Sequence, residues 1–117
     1  MTLGRRQEIF SEACCLLEAY ARMKGYTVRR AWGYRDAIAA KRLGFERSLH
    51  TKKLAQDYDL FLNNRWQKKT EQHAELGVFW KSLSGTYEGT RLEFTWGGDF
   101  VSNPDGNHYS LRYQNVS

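Results

Sequence analysis

Between about Arg6 and Lys24, Phe10, Ala13, Cys14, Leu17 and Ala21 recur at three- and four-residue spacing, and Leu16 and Tyr20 widen the apolar stripe. The pattern predicts an amphipathic helix that Gly25 ends. Tyr26 to Tyr34 is rich in β-formers and predicts a strand; Asp36 then reads as the N-cap of a short helix through Lys41, stopped by Gly44. Leu54 to Phe61 reads as a second strand, with Ala55, Asp57, Asp59 and Phe61 on one face and Leu54, Gln56, Tyr58 and Leu60 on the other. Two acids on one face are costly to bury unless something cationic lies against them.

Asn63 to Lys69 reads as a polar connection. From Glu71 to Leu83 the spacing of Leu76, Phe79, Trp80 and Leu83 predicts a helix, closed by Gly85. Thr90 to Trp96 and His108 to Tyr113 read as short strands on either side of Gly97-Gly98 and an Asn103-Pro104-Asp105-Gly106 turn. Helix, strands, helix and strands in this order predict an α+β fold with a small, mainly antiparallel sheet flanked by helices.

With 117 residues, the length predicts a single domain, residues 1–117, with one modest core. A 41% hydrophobic and 15% aromatic content with one proline excludes a disordered chain. The net charge of +5 favours an acidic partner. Its carriers, among them Arg5, Arg6, Arg29, Arg30, Lys52, Lys53, Lys68 and Lys69, are scattered, so no nucleic-acid stripe is evident and no nucleic-acid partner is expected. The adjacent Cys14 and Cys15 suit neither a loop-closing disulfide nor a metal knuckle, which leaves packing as their role. No apolar run reaches membrane-spanning length and no secretory apolar region follows Arg5-Arg6; the expectation is a monomer made in a cytoplasm, without membrane insertion.

The metal-ligating residue types stand out in two places: Ser48-Leu49-His50 with Asp57 seven residues after the histidine, and Asp105-Gly106-Asn107-His108. Two imidazoles and one carboxylate suffice for a catalytic zinc, because three protein ligands leave a fourth position open. The spacing alone does not distinguish such a site from satisfied or surface residues.

The stretch from Ser48 to Asp57 resembles the S-x-H-x-x-x-x-A-x-D signature of the zinc D-alanyl-D-alanine carboxypeptidase and L-alanyl-D-glutamate peptidase family, whose phage members serve as endolysins. Leu54 to Phe61, Phe79-Trp80-Lys81-Ser82-Leu83, Trp96-Gly97-Gly98-Asp99-Phe100 and Asp105 to Leu111 resemble further blocks of phage members in the same order. The resemblance implies that His50, Asp57 and His108 ligate Zn2+ at the sheet and the catalytic loop, and that Asp105 is the acid/base where relatives carry glutamate. It implies an arginine that polarises the scissile carbonyl, for which Arg30 and Arg35 both lie at plausible positions; Arg35, at the strand-to-helix junction, is the preferred one. Ser48 matches the family serine and would support the site by hydrogen bonding. Asp99 would bond a ligating histidine or cap the loop; Trp32, Trp80 and Trp96 read as core or cleft wall, with lining of the groove a further option for Trp96 beside Gly97-Gly98. His73, among Glu71, Gln72 and Glu75, reads as a surface residue.

The implied partner is the peptidoglycan stem peptide. The implied activity is an endolysin that accumulates in the bacterial host's cytoplasm and reaches the wall through a holin. Two alternatives stand beside it: a D-alanyl-D-alanine carboxypeptidase or dipeptidase, and a non-catalytic wall-binding phage protein.

Overall fold

The computed structural model describes residues 1–45 and 47–117. The long first helix, α1 (Leu3–Met23), begins three residues earlier than its apolar stripe, because the Thr2 hydroxyl accepts the Arg5 N–H at 3.1 Å and caps it. Ile9, Phe10, Ala13, Cys14, Leu17 and Ala21 are its buried face. The stripe is narrower than expected: Leu16 is 53% exposed, and Tyr20 stacks on Phe79 with centroids 4.1 Å apart.

Strand β1 (Tyr26–Arg30) follows, then α2 (Ala37–Arg42), whose Asp36 cap accepts from the backbones of Ile38 and Ala39. β1 is shorter than predicted because the chain leaves regular pairing at Asp57. There the Asp57 carbonyl accepts from Ala31 and the Asp57 N–H donates to the Trp32 carbonyl. Two residues thus face one, as in a β-bulge, and the chain is bent toward α2.

Strand β2 (Ala55–Leu62) is the sheet's spine, with β1 antiparallel along one edge. Its other edge pairs antiparallel with β7 (His108–Leu111) and, further along, with β3 (Arg65–Trp66). β3 lies in what the sequence presents as a connection: Asn63 and Asn64 both take positive φ, the geometry of a two-residue hairpin turn. β6 (Phe94–Trp96) pairs antiparallel with β7, giving the order β1-β2-β7-β6.

A second hairpin, β4 (Gly85–Tyr87) with β5 (Thr90–Leu92), turns through Glu88 and Gly89, both at positive φ. The predicted second helix resolves into a 3₁₀ turn over Thr70–His73 and α3 (Ala74–Ser82).

α1 and α3 cover the sheet face that carries Tyr58, Leu60, Tyr109 and Leu111, all buried. Trp80 centres this core, edge-on to Phe10 at 5.7 Å and Phe94 at 5.1 Å, with its indole N–H bonded to the Ser110 carbonyl. Alternation along β2 and β7 puts Asp57 and His108 on the opposite face, so the helices form the support and the far face holds the chemistry. Among the described residues no helix is long and apolar enough to cross a membrane.

Candidate metal centre

Asp57 and His108 are directly opposed in the β2–β7 ladder. The Asp57 backbone bonds toward β1, while Tyr58 N–H donates to the Asn107 carbonyl on the β7 side. Asp57 and His108 therefore form a non-hydrogen-bonded pair, the kind whose Cα atoms lie closest, about 4.5 Å apart. This places His108 Nδ1 3.1 Å from Asp57 Oδ1.

His50 enters from the 3₁₀ turn over Leu49–Lys52, which Ser48 caps by accepting the His50 N–H at 3.2 Å. The imidazole Nδ1 lies 2.7 Å from the Gly33 carbonyl. A carbonyl only accepts, so Nδ1 carries a proton, and Nε2 is the ring atom that faces Asp57, 3.5 Å from its Oδ1.

One donor atom from each of His50, Asp57 and His108 lies within 4.8 Å of the others. A neutral imidazole at His50 would present its Nε2 lone pair to the Asp57 carboxylate, an arrangement that a cation held between them satisfies. Donors about 2.0–2.1 Å from a tetrahedral zinc are about 3.4 Å apart, which the 3.1 and 3.5 Å separations bracket. The three residues fit a metal ion with a position left open.

Burial raises the Asp57 carboxyl, but hydrogen bonds with His108 and His50 outweigh it and hold the group below the usual carboxylate range. Asp57 is thus ionised over the whole range in which imidazoles can bind a metal. Asp105 moves the other way. Partial burial first, and then the charge of Asp57, raise its carboxyl, with the two histidines opposing. A carboxylate that gives and takes protons near neutrality needs that direction of shift.

The loop bearing Asp105 and His108 is held by close backbone packing. His108 N–H donates to the Asp105 carbonyl and Asp105 N–H to the Gly97 carbonyl. A Cβ on Gly97 would lie 2.0 Å from the Asp105 carbonyl oxygen, and one on Gly106 2.6 Å from Thr70 Cα. Gly106 is pinned at both ends: its N–H donates to Thr70 Oγ1 at 3.1 Å, and its carbonyl accepts from Trp96 Nε1 at 2.7 Å. Trp96 lies against Gly77 and Gly98, either of which would collide with the indole if it bore a Cβ. It is a buried strut of the loop that carries Asp105 and His108, as the core reading expects.

Of the two arginines, Arg30 is committed elsewhere, since its Nε and Nη2 bond the Glu18 carboxylate, which also accepts the Tyr58 hydroxyl at 2.6 Å. Arg35 stands beside the centre: its N–H donates to the His50 carbonyl at 3.1 Å, and its guanidinium lies 4.9 Å from the Trp32 ring centroid and 4.8 Å from that of Phe45. Trp32 is accordingly a 56% exposed partner of Arg35 and no part of the core.

Two expectations are corrected. Asp99 bonds no ligating histidine, because it points to Lys81 and pairs with it at 2.7 Å; Phe100 packs against His108 instead, centroids 5.5 Å apart. His73 is 2% exposed, not a surface residue, with Nδ1 2.9 Å from the Tyr109 hydroxyl. Burial lowers its pKa, so it stays neutral as part of the core. The signal was present in its spacing to Leu76 and Trp80, three and seven residues on.

A scan against protein-family models finds no match to the chain, and neither does a search of curated proteins. Among solved structures the chain is similar to the crystal structure of the Serratia marcescens L-Ala D-Glu endopeptidase ChiX, at 20% identity and a TM-score of 0.54, over 76% of this chain and 69% of that one. At that identity the likeness shows a common fold.

Proposed function

We propose that the chain is a zinc-dependent peptidase that hydrolyses the stem peptide of bacterial cell wall between L-alanine and D-glutamate. The observation that carries this reading is the convergence of His50, Asp57 and His108 on the sheet face away from the helices, with donor atoms within 4.8 Å of one another and each histidine nitrogen 3.1–3.5 Å from Asp57 Oδ1. The fold shared with an L-Ala D-Glu endopeptidase and the resemblance of the Ser48–Asp57 and Asp105–Leu111 blocks support the choice of substrate.

A zinc ion held by the three residues would polarise the scissile carbonyl and make water at its open position more acidic. The chain's own groups do the rest. Asp105 takes the proton from the attacking water as the C–O bond forms. It then delivers that proton to the amide nitrogen, so the C–N bond breaks to a carboxylic acid and a neutral amine, and the acid's remaining proton passes to the amine to leave a carboxylate and an ammonium. Arg35 supplies positive charge for the developing oxyanion, and Ser48 fixes the His50 backbone without touching its ring. The biological role we propose is that of a phage endolysin, made in the host cytoplasm and acting on the wall once a holin has opened the inner membrane.

The test is digestion of isolated peptidoglycan with the purified protein, with and without chelator and zinc add-back, and mass spectrometry of the new ends. New L-alanine carboxyl and D-glutamate amino ends, lost on chelation and restored by zinc, are expected. Release of D-alanine would move the chain to carboxypeptidase activity. Zinc binding with no cleavage would leave a non-catalytic wall-binding protein.

A further inference from the structure

Asp57 is accounted for by the metal centre, but Asp59, its neighbour on the same face of β2, is not. It is half-buried, and no hydrogen bond or ion pair reaches its carboxylate among the described residues. The residue directly across the ladder is Arg29, whose guanidinium lies over the Phe61 ring at 4.2 Å instead.

Asp59 occupies a gap in the sheet. The edge of β2 pairs with β7 as far as Asp57 and with β3 from Phe61; between them Tyr58 N–H still donates to the Asn107 carbonyl and the Leu60 carbonyl accepts from Gln67, leaving a notch one residue wide at Asp59. The notch opens into a cavity of about 210 Å³ lined by Asp59, Trp66, Lys68, Thr70 and Asp105 among others. It is polar, it holds charges of both signs, and it shares Asp105 with the metal centre. Ligand sites for drug-sized molecules begin at about 300 Å³, so this volume suits the side-chain ends of a peptide.

Direction follows from the chemistry. Asp105 hands its proton to the leaving nitrogen, so the cavity it borders receives the amine side of the cleaved bond. In a stem peptide that side carries an acidic residue and then a diamino acid. We infer that the notch is the subsite for this segment, in which Asp59 binds the side-chain ammonium of the diamino acid and Lys68 the free carboxylate of the acidic residue. The inference rests on the proposed peptidase activity and names what selects its substrate. Contacts remote from the reacting bond raise kcat/KM when they hold the substrate in the reactive pose.

The test uses zinc-loaded protein on uncross-linked muropeptides, either native or acetylated on the diamino acid's side-chain amine, with Asp59→Asn alongside. For wild type, acetylation is expected to lower kcat/KM about tenfold, the effect of truncating one partner of a partly desolvated charge pair. Asp59→Asn should cut both substrates at the lower rate and bind zinc as wild type does. In addition, native muropeptide should bind zinc-free wild type more tightly than zinc-free Asp59→Asn by a similar factor. Equal rates for wild type on the two substrates, or discrimination retained by Asp59→Asn, would overturn the inference and leave the peptidase reading standing. Cleavage of intact wall but of neither muropeptide would do the same. No cleavage of any wall substrate would bring down both.

Discussion

Gly97→Ala is the sharpest probe of how the loop bearing Asp105 and His108 is held. The new Cβ would lie 2.0 Å from the Asp105 carbonyl oxygen, about 1.4 Å short of the 3.4 Å at which ordinary contact begins, and 2.8 Å from His108 Cβ. The first obstacle is backbone, which cannot rotate away, so the Asp105–His108 turn must shift by roughly an ångström. Overpacking of this kind costs about 2 kcal/mol, or about 8 °C in Tm for a chain of this size. The shift also moves His108 and Asp105, the proposed metal ligand and acid/base, together. Zinc affinity should fall at least about tenfold, and kcat about a hundredfold, as an ångström of misplacement does. Calorimetry of the zinc-free protein, zinc titration and the wall-digestion assay read the three effects separately. Gly85→Ala is the control, because its Cβ meets nothing within 4 Å and stability should hold to about 0.5 kcal/mol. A Gly97→Ala protein with wild-type Tm, zinc affinity and turnover would refute the close packing of Gly97 on Asp105.

Trp96→Phe should remove the bond from Nε1 to the Gly106 carbonyl and strand that buried oxygen, at a cost of about 1–3 kcal/mol in chemical denaturation. Stability should also fall with acid in two windows. His73 has a folded pKa below its unfolded one, so the unfolded chain takes the proton first, and this contribution, complete above about pH 6.5, is lost as pH falls from there through the folded pKa. Glu18 likewise has a lowered folded pKa: burial raises it, but the bonds from Arg30 and Tyr58 prevail, so its contribution is present above about pH 4.3 and lost below as pH falls through the folded pKa. His73→Gln should flatten the upper window and Glu18→Gln the lower one in denaturation at stepped pH; unchanged profiles would contradict both assignments. Gly4→Ala, in the first turn of α1 and with nothing within 4 Å of its Cβ, should leave the site untouched and stabilise the protein by about 0.5 kcal/mol in the same assay.

The elements legible in the sequence are those whose local signals agree with their packing. α1 has one apolar stripe and a glycine stop, and α2 has an aspartate cap whose carboxylate does bond the first turn. β3 and β4 were not legible because their turns break the usual rules. Asn63-Asn64 lacks the glycine that marks a two-residue hairpin, and Glu88 takes a positive φ that its residue type disfavours. Gly85, read as a helix stop, instead opens a strand. His73 was misplaced for a different reason: its polar neighbours Glu71, Gln72 and Glu75 were weighed above its spacing to Leu76 and Trp80, which sets it on their buried face.

The clustering of His50, Asp57 and His108 was more legible than the fold around it, and the register explains why. A carboxylate on the inward phase of a strand costs free energy unless a cation answers it, so Asp57 and Asp59 were conspicuous before any pairing was known. What alternation could not supply is the partner. His108 answers Asp57 because the β2–β7 register makes them a non-hydrogen-bonded pair, a fact set by the Asn107 and Leu54 backbone bonds and invisible in either strand alone. In the same register Asp59 would face Gly106, two residues before β7 begins. One acid is thereby built into a metal centre, while the other is left in an open notch with its carboxylate unspent, which is the physical reason to look for the substrate's positive charge there.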